Sequence, residues 1–161
     1  MKAVAVRKVI RSKKQSGEES EEERIEVSLR SRKYPNIIAL LTSYNLHSMH
    51  NLIFPLAQGD LKALLRGEMQ CPPNLCQEHT ILRETYGLSS AIEVVHAFFV
   101  GNSDLTLIGC HHNLKPENVL VKDEKFLLTD FGLSRLERAE EWSQELKKLQ
   151  GFYFAPECES V

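Results

Sequence analysis

The residues of this chain that could do chemistry are concentrated in three short motifs. Residues 111–118 read His-His-Asn-Leu-Lys-Pro-Glu-Asn, residues 130–132 read Asp-Phe-Gly, and residues 155–157 read Ala-Pro-Glu. They supply acids, amides and a lysine, and oxygen donors of this kind are hard ligands that suit Mg²⁺. One tripeptide alone would mean little, whereas three motifs in this order and spacing are highly specific. The sequence therefore indicates one composite site.

This set of motifs resembles the signature of the protein kinases, which reads H-R-D-L-x-x-x-N, D-F-G and A-P-E along the chain. The wording Leu-Lys-Pro-Glu-Asn at 114–118 is similar to the serine/threonine branch. The resemblance implies an α+β protein with a partial form of the two-lobe protein kinase fold. It also implies ATP-dependent phosphoryl transfer to Ser or Thr of proteins, with ATP and Mg²⁺ as cofactors.

The resemblance implies roles for four residues of the central motifs. Asp130 would bind Mg²⁺ on the nucleotide phosphates, and Asn118 would offer its side-chain carbonyl to a second Mg²⁺. Lys115 would reach the transferred phosphate. Asn113 stands where the family has its catalytic aspartate.

The resemblance also covers the part of the chain that would bind adenine. Residues 4–7 (Val-Ala-Val-Arg) look like the V-A-I-K strand, and residues 53–57 (Ile-Phe-Pro-Leu-Ala) look like the strand that runs into the hinge. The backbone C=O of Pro55 and the backbone N–H of Ala57 would face the adenine. The implied cofactor-binding residues are Ala5, Arg7, Pro55, Ala57 and Leu120.

Two departures from the family pattern predict impaired catalysis. At Asn113 an amide cannot accept the hydroxyl proton, and general-base help is typically worth about 10²–10⁴-fold. Arg7 stands where the family has a lysine, and a guanidinium keeps the charge but not the compact geometry of an ammonium. The glutamate expected to pair with this position stays open. Its candidates are Glu22, Glu23 and Glu26, and one alignment puts Arg24 there.

Relative to the family, we expect the chain to be truncated at both ends. No G-x-G-x-x-G precedes Met1, and four residues follow the motif at 155–157. The predicted domains are a partial small lobe at 1–57 and a partial large lobe at 58–161. Three functions stay open: an active serine/threonine kinase, a pseudokinase that binds nucleotide or acts as a scaffold, and an inert kinase fragment. We expect Mg-ATP to bind weakly or not at all.

Apolar patterning predicts the elements that must position these motifs. The predicted strands are 2–10, 37–44 and 49–54, with a further pair at 119–121 and 126–128. The predicted helices are 21–32, 60–67 and 79–100. The last has apolar residues at helical spacing over about five turns and is expected to be the long central helix.

Composition limits the remaining possibilities. The 161 residues, 42% of them hydrophobic, suffice for one ordinary domain with a buried core. A formal net charge of −2 gives no general attraction to nucleic acid or anionic lipid. No stretch approaches the ~18 apolar residues of a membrane span, and four scattered cysteines suit a reducing compartment. We expect a cytoplasmic or nuclear protein with a protein substrate or partner, and no nucleic-acid or membrane partner.

Overall fold

A computed structural model describes the chain in six stretches. These are residues 4–10, 34–46, 49–96, 98–99, 106–133 and 135–138. The predicted helix at 21–32, which carries all the candidate glutamates and Arg24, lies outside the described residues. The Ala-Pro-Glu motif at 155–157 lies outside them as well.

The first sheet has three antiparallel strands. β1 is Val4–Ile10, β2 is Thr42–Leu46 and β3 is Met49–Pro55, in the spatial order β1-β3-β2. β3 lies in the middle because it carries the most buried side chains of the sheet, with Leu52 at 0% exposure. The predicted strands at 2–10 and 49–54 are therefore confirmed to within two residues.

The predicted strand at 37–44 is wrong in its first half. Strand β2 of the first sheet begins only at Thr42, while Ile37 forms a parallel bridge with Leu128. The backbone N–H of Ile38 donates to the carbonyl of Leu128 at 3.0 Å, and the N–H of Leu41 donates to the carbonyl of Ile53 at 2.8 Å. The segment from Ile37 to Leu41 is buried between the two sheets at Ile37, Ile38 and Leu40. A buried connection needs apolar residues just as a strand does, so its pattern resembles that of a strand.

The second sheet comes from the middle and end of the described chain. β4 is Gly59–Asp60, β7 is Val119–Lys122 and β8 is Lys125–Leu128, in the order β4-β7-β8. Asp123 and Glu124 connect β7 to β8, and both have positive φ angles of 48° and 65°. Left-handed backbone at both central residues matches the twist of a two-residue hairpin. The predicted strand pair at 119–121 and 126–128 is confirmed.

Two helices follow the first sheet. α1 is Leu61–Leu65, and the carboxylate of Asp60 caps it by accepting from the N–H of Ala63 at 2.8 Å. α2 is Glu78–His96, and it is the predicted long helix. It ends earlier than expected from the apolar spacing.

Strand pairing ends α2. β5 is Phe98–Phe99 and pairs with β6, Thr106–Cys110, which in turn pairs with β9, Arg135–Arg138. The helix therefore ends at His96 and β5 follows, although apolar residues continue at helical spacing to residue 99. Along α2, Ala91 and Val95 are buried, and both pack in one cluster with Ile37, Leu128 and Phe131.

The loop between the helices contains a disulfide that the sequence analysis did not predict. Cys71 and Cys76 are joined, with their Cα atoms 6.1 Å apart. The carbonyl of Pro72 accepts hydrogen bonds from the N–H groups of Leu75 and Cys76, at 3.0 and 3.2 Å. This turn brings the two sulfur atoms together although five positions separate them.

The combination of one long helix with small antiparallel sheets is the expected α+β architecture. No helix in the described part of the chain is both long and apolar enough to cross a membrane. The first sheet ends at Pro55 and the second begins at Gly59. The division into domains at 57 and 58 stays a prediction.

Candidate functional site

A cleft of about 530 Å³ lies between the first and second sheets. Its volume is within the usual range of small-molecule and cofactor sites. Six of the residues singled out in the sequence line it together: Ala5, Arg7, Pro55, Ala57, Leu120 and Asp130. The fold therefore brings all five expected cofactor-binding residues to one cavity, together with one of the two expected metal ligands.

Strand geometry explains why β1 and β7 supply these side chains. Alternate residues of a strand face the same side of the sheet, so Ala5 and Arg7 share one face of β1. In β7 the same alternation leaves Leu120 half-buried between the buried Val119 and Val121. Leu120 consequently faces the cleft, while its two neighbours pack into the core beside Phe126.

Asn118 ties the loop at residues 111–118 to the end of β8. Its backbone N–H donates to the carbonyl of Lys115 at 2.9 Å, and its carbonyl accepts from the N–H of Thr129 at 3.0 Å. Its side-chain Nδ2 donates to the carbonyl of Asn113 at 2.8 Å. Because Asn118 is buried, these hydrogen bonds fix the position of the loop relative to Asp130.

Asp130 comes directly after Thr129, and its backbone φ angle is 67°. Aspartate is among the few non-glycine residues that adopt this left-handed conformation readily. On its far side Phe131 is buried among Ile37, Ala91, Val95 and Leu128. The buried ring anchors the chain after Asp130, so the carboxylate is held at the mouth of the cleft.

The carboxylate of Asp130 has partners from two different elements. Oδ1 lies 2.6 Å from Nη2 of Arg7 on β1, and Oδ2 accepts from Nδ2 of Asn113 at 2.9 Å. An ionised carboxylate only accepts hydrogen bonds, so the NH₂ group of Asn113, and not its carbonyl, faces Asp130. The structure thus brings together Arg7, Asn113, Asn118 and Asp130.

Comparison with known proteins identifies the family of this chain. A family model for the protein kinase domain matches residues 1–159. The chain belongs to the protein kinase domain family.

Two curated relatives are serine/threonine kinases by name. The chain is 30% identical over 106 residues to a probable serine/threonine-protein kinase CHK1 homolog of Encephalitozoon cuniculi, a match that covers 65% of this chain and 22% of that protein. It is 26% identical over 126 residues to a probable serine/threonine-protein kinase irlC of Dictyostelium discoideum, which covers 77% of this chain and 9% of that protein. The chain therefore spans less than a quarter of either relative.

Protein kinases in general use ATP and Mg²⁺, so the donors around Asp130 decide whether a divalent cation fits this kinase domain. Both oxygens of Asp130 already accept from donors, and its charge is paired with Arg7. Among the residues that the structure describes, no group of three or more His, Cys, Asp or Glu side chains could hold a metal ion. As arranged here, Asn118 and Asp130 do not fit a divalent cation.

Lys115 lies in the catalytic loop but does not line the cleft cavity. It precedes a short 3₁₀ turn, Pro116–Asn118, and is half-buried. The neighbouring Glu117 forms an ion pair with Lys62 of α1. The hydrogen bond from Lys62 lowers the pKa of the Glu117 carboxyl. The expected contact of Lys115 with a transferred phosphate stays a prediction.

His111 is a site residue that the sequence analysis did not single out. It is buried, and its Nε2 lies 2.9 Å from the carbonyl of Thr129, which can only accept. Nε2 therefore carries the proton and donates. The ring also makes an edge contact with Phe131, with centroids 4.9 Å apart. The first histidine of the motif at 111–118 was the available signal, because it begins the family's H-R-D wording.

Burial governs the protonation of His111. Loss of hydration disfavours the imidazolium and lowers its pKa, while the hydrogen bond to Thr129 and the charge of Asp130 act in the opposite direction. The neutral ring holds the backbone directly before Asp130. His111 is therefore a positioning residue for that carboxylate.

Proposed function

We propose that this chain is a protein kinase domain that binds an adenine nucleotide in its cleft and is impaired in phosphoryl transfer to Ser or Thr of proteins. The observation that carries the proposal is the hydrogen bond from Nδ2 of Asn113 to Oδ2 of Asp130. A catalytic base at position 113 must accept a proton from the substrate hydroxyl. Asn113 instead directs a donor into the site.

The size of the loss follows from what a base contributes. General-base assistance is typically worth about 10²–10⁴-fold, and an amide has no basic lone pair to replace it near neutral pH. Positioning and charge stabilisation account for most of the remaining catalysis in phosphoryl transfer. The family activity is therefore weakened at the chemical step.

Nucleotide binding is supported by the make-up of the cleft. Ala5 and Leu120 give it apolar surface, and the backbone of Pro55 and Ala57 supplies polar groups at its edge. A mainly apolar cavity with a few polar groups is the usual form of a cofactor site. Arg7 adds a permanent positive charge at the end where Asp130 lies.

Binding and transfer can be measured on one preparation of the full-length protein. A fluorescent ATP analogue, displaced by ATP, should bind the wild type, and Ala5→Phe should weaken it at least about tenfold because the ring fills the cavity. Val4→Phe is the matched control, since Val4 is exposed on the other face of β1. Radiolabelled phosphate incorporated into a generic basic protein should not exceed that of Asp130→Ala.

Two results would contradict the proposal. One is equal nucleotide binding by the wild type and Ala5→Phe, which would place the nucleotide outside the cleft. The other is robust phosphate incorporation by the wild type that Asp130→Ala abolishes, which would mean that the chemistry survives without a base at position 113.

A further inference from the structure

The charge of Asp130 is already balanced by the protein itself. Its two oxygens are engaged by Arg7 at 2.6 Å and by Asn113 at 2.9 Å. Both side chains of the ion pair are about one-third exposed, so this contact lies at the open face of the cleft. Arg7 supplies the positive charge of this pair.

We propose that the cleft binds its nucleotide without a divalent cation, with Arg7 and Asn113 holding the carboxylate of Asp130 in place of the metal. The inference rests on the proposed nucleotide binding, and it specifies the chemical form of the ligand: an adenine nucleotide free of metal.

A cation would have to displace good partners to reach Asp130. It would have to break a charge-assisted hydrogen bond from Arg7 and an amide hydrogen bond from Asn113. The displaced guanidinium would remain nearby on β1, because Arg7 belongs to a strand paired to β3 along its whole length. A divalent cation would then share the site with a like charge, which disfavours its binding.

Asn118 does not offset this loss. Its side-chain nitrogen donates to the carbonyl of Asn113, and the residue is buried in the loop. Asn118 is also uncharged, so it offers a cation at most one neutral oxygen. Hard cations such as Mg²⁺ are generally held by one or two carboxylates together with phosphates. Here the carboxylate of Asp130 is paired with Arg7.

Arg7 also favours the phosphates directly. The guanidinium lines the same cavity as Ala5 and Leu120, so a nucleotide with its base between those residues would carry its phosphates toward Arg7. Arginine recognises phosphate oxygens well because its planar group donates in a fixed geometry. The same side chain has enough N–H donors to hydrogen-bond both Asp130 and a phosphate oxygen without a bridging ion.

The test compares nucleotide affinity with and without a divalent cation. ATP is titrated into the full-length protein by calorimetry, once in EDTA and once in excess Mg²⁺, with adenosine as the phosphate-free probe. We expect ATP to bind in EDTA, and to bind no more tightly in excess Mg²⁺, because Mg²⁺ in solution complexes ATP and removes the metal-free form that the cleft takes. Binding that requires Mg²⁺, or tightens at least about tenfold with it, would overturn the inference and leave the proposed function standing.

The absence of ATP binding in both buffers would overturn the inference together with the proposed nucleotide binding. The two failures are thus distinguishable. Because this comparison uses the wild type alone, it does not depend on whether any variant folds.

A variant with a charge-matched control sharpens the result. Asn113→Asp places a second carboxylate beside Asp130 and should create a preference for Mg²⁺-ATP of at least about tenfold over ATP in EDTA. Asn45→Asp adds the same charge at an exposed position of β2 and should leave the cation-independent binding unchanged. An Asn113→Asp protein that folds but shows no cation preference would contradict the role given to Asn113.

Discussion

At position 113 an amide in place of a carboxylate reverses the direction of a hydrogen bond. A carboxylate there would accept a proton, and it would repel Asp130 across a distance that Asn113 now spans at 2.9 Å. The NH₂ group of Asn113 instead stabilises the ionised Asp130. At the scale of single residues, the same substitution therefore removes a base and adds a partner to the neighbouring acid.

His111 gives the stability of the fold a defined pH dependence. Burial lowers its pKa below the usual value of about 6.5, so the unfolded chain takes up a proton more readily than the folded one. The contribution of the neutral ring is fully present above about pH 6.5. It is lost as the pH falls below the unfolded-state pKa toward the lower folded-state pKa.

We expect His111→Gln to reduce this pH dependence, because a glutamine can donate to the Thr129 carbonyl but does not titrate. Urea unfolding at about pH 7.5 and about pH 5.5 measures it. The wild type should lose more stability between these two values than the variant. Equal losses would show that His111 is not the group responsible.

The sequence motifs predicted which residues belong to the site but not which of them are in contact. Arg7 and Asp130 were recognised from wording at two distant parts of the chain, and nothing local to either shows that they form an ion pair. That contact depends on how the first sheet lies against the end of β8. The contact of Asn113 with Asp130 likewise joins residues 17 positions apart, and sequence patterning does not reveal the left-handed backbone at Asp130.

At the scale of elements, a buried polar contact joins the 34–41 segment to α2 and β8. Nδ2 of Asn36 donates to Oε2 of Glu84 at 3.1 Å and to the carbonyl of Phe126 at 2.9 Å. The backbone carbonyl of Asn36 accepts from the backbone N–H of Leu128 at 2.8 Å. Glu84 is buried although it carries a charge, and Arg83 lies 3.0 Å from its other oxygen.

Gly87 makes this contact possible. A Cβ at that position would lie 2.3 Å from Oδ1 of Asn36 and 2.5 Å from its Cγ. In an ordinary helix Gly→Ala stabilises by about 1 kcal/mol. Here we expect Gly87→Ala to lower the free energy of unfolding by about 1–3 kcal/mol, because Asn36 must move and give up buried hydrogen bonds.

Urea unfolding tests this reversal of sign. Ser89→Ala, at an exposed position two residues further along α2, is the matched control and should change stability by less than about 0.5 kcal/mol. In an Asn36→Ala background the Gly87→Ala change should no longer destabilise, since its collision partner is gone. A higher free energy of unfolding for Gly87→Ala than for the wild type would contradict the close approach of Asn36 to α2.

Element positions followed from local patterning except where a distant partner decided them. β1, β3, β7 and β8 were predicted to within two residues, because a valine-rich run marks β1, short apolar runs mark the other three, and a turn at Asp123 and Glu124 separates β7 from β8. The segment around Ile37 and Ile38 was misassigned because its partner is Leu128, about ninety positions away. α2 was predicted too long because the pairing of Phe98 with Leu107 is invisible to helical periodicity.

At the scale of the whole molecule, the cleft exists only because two sheets are held together. Ile38 and Leu40 share a buried cluster with Leu52 and Phe54 of β3, and Leu120 and Leu127 of the second sheet pack against it. The ion pair of Arg7 with Asp130 joins the same two sheets on the open side. The cleft is therefore a property of both sheets together.

The most direct measurement is the rate of phosphoryl transfer by full-length Asn113→Asp compared with the wild type. Restoring the base supplies help in the transition state, so kcat at saturating Mg²⁺-ATP should rise at least about tenfold. Asn45→Asp is the charge-matched control and should leave the rate at the wild-type level. An unchanged kcat in a folded Asn113→Asp protein would contradict the account, because the loss of activity would then lie at Arg7 or elsewhere and not in the amide at position 113.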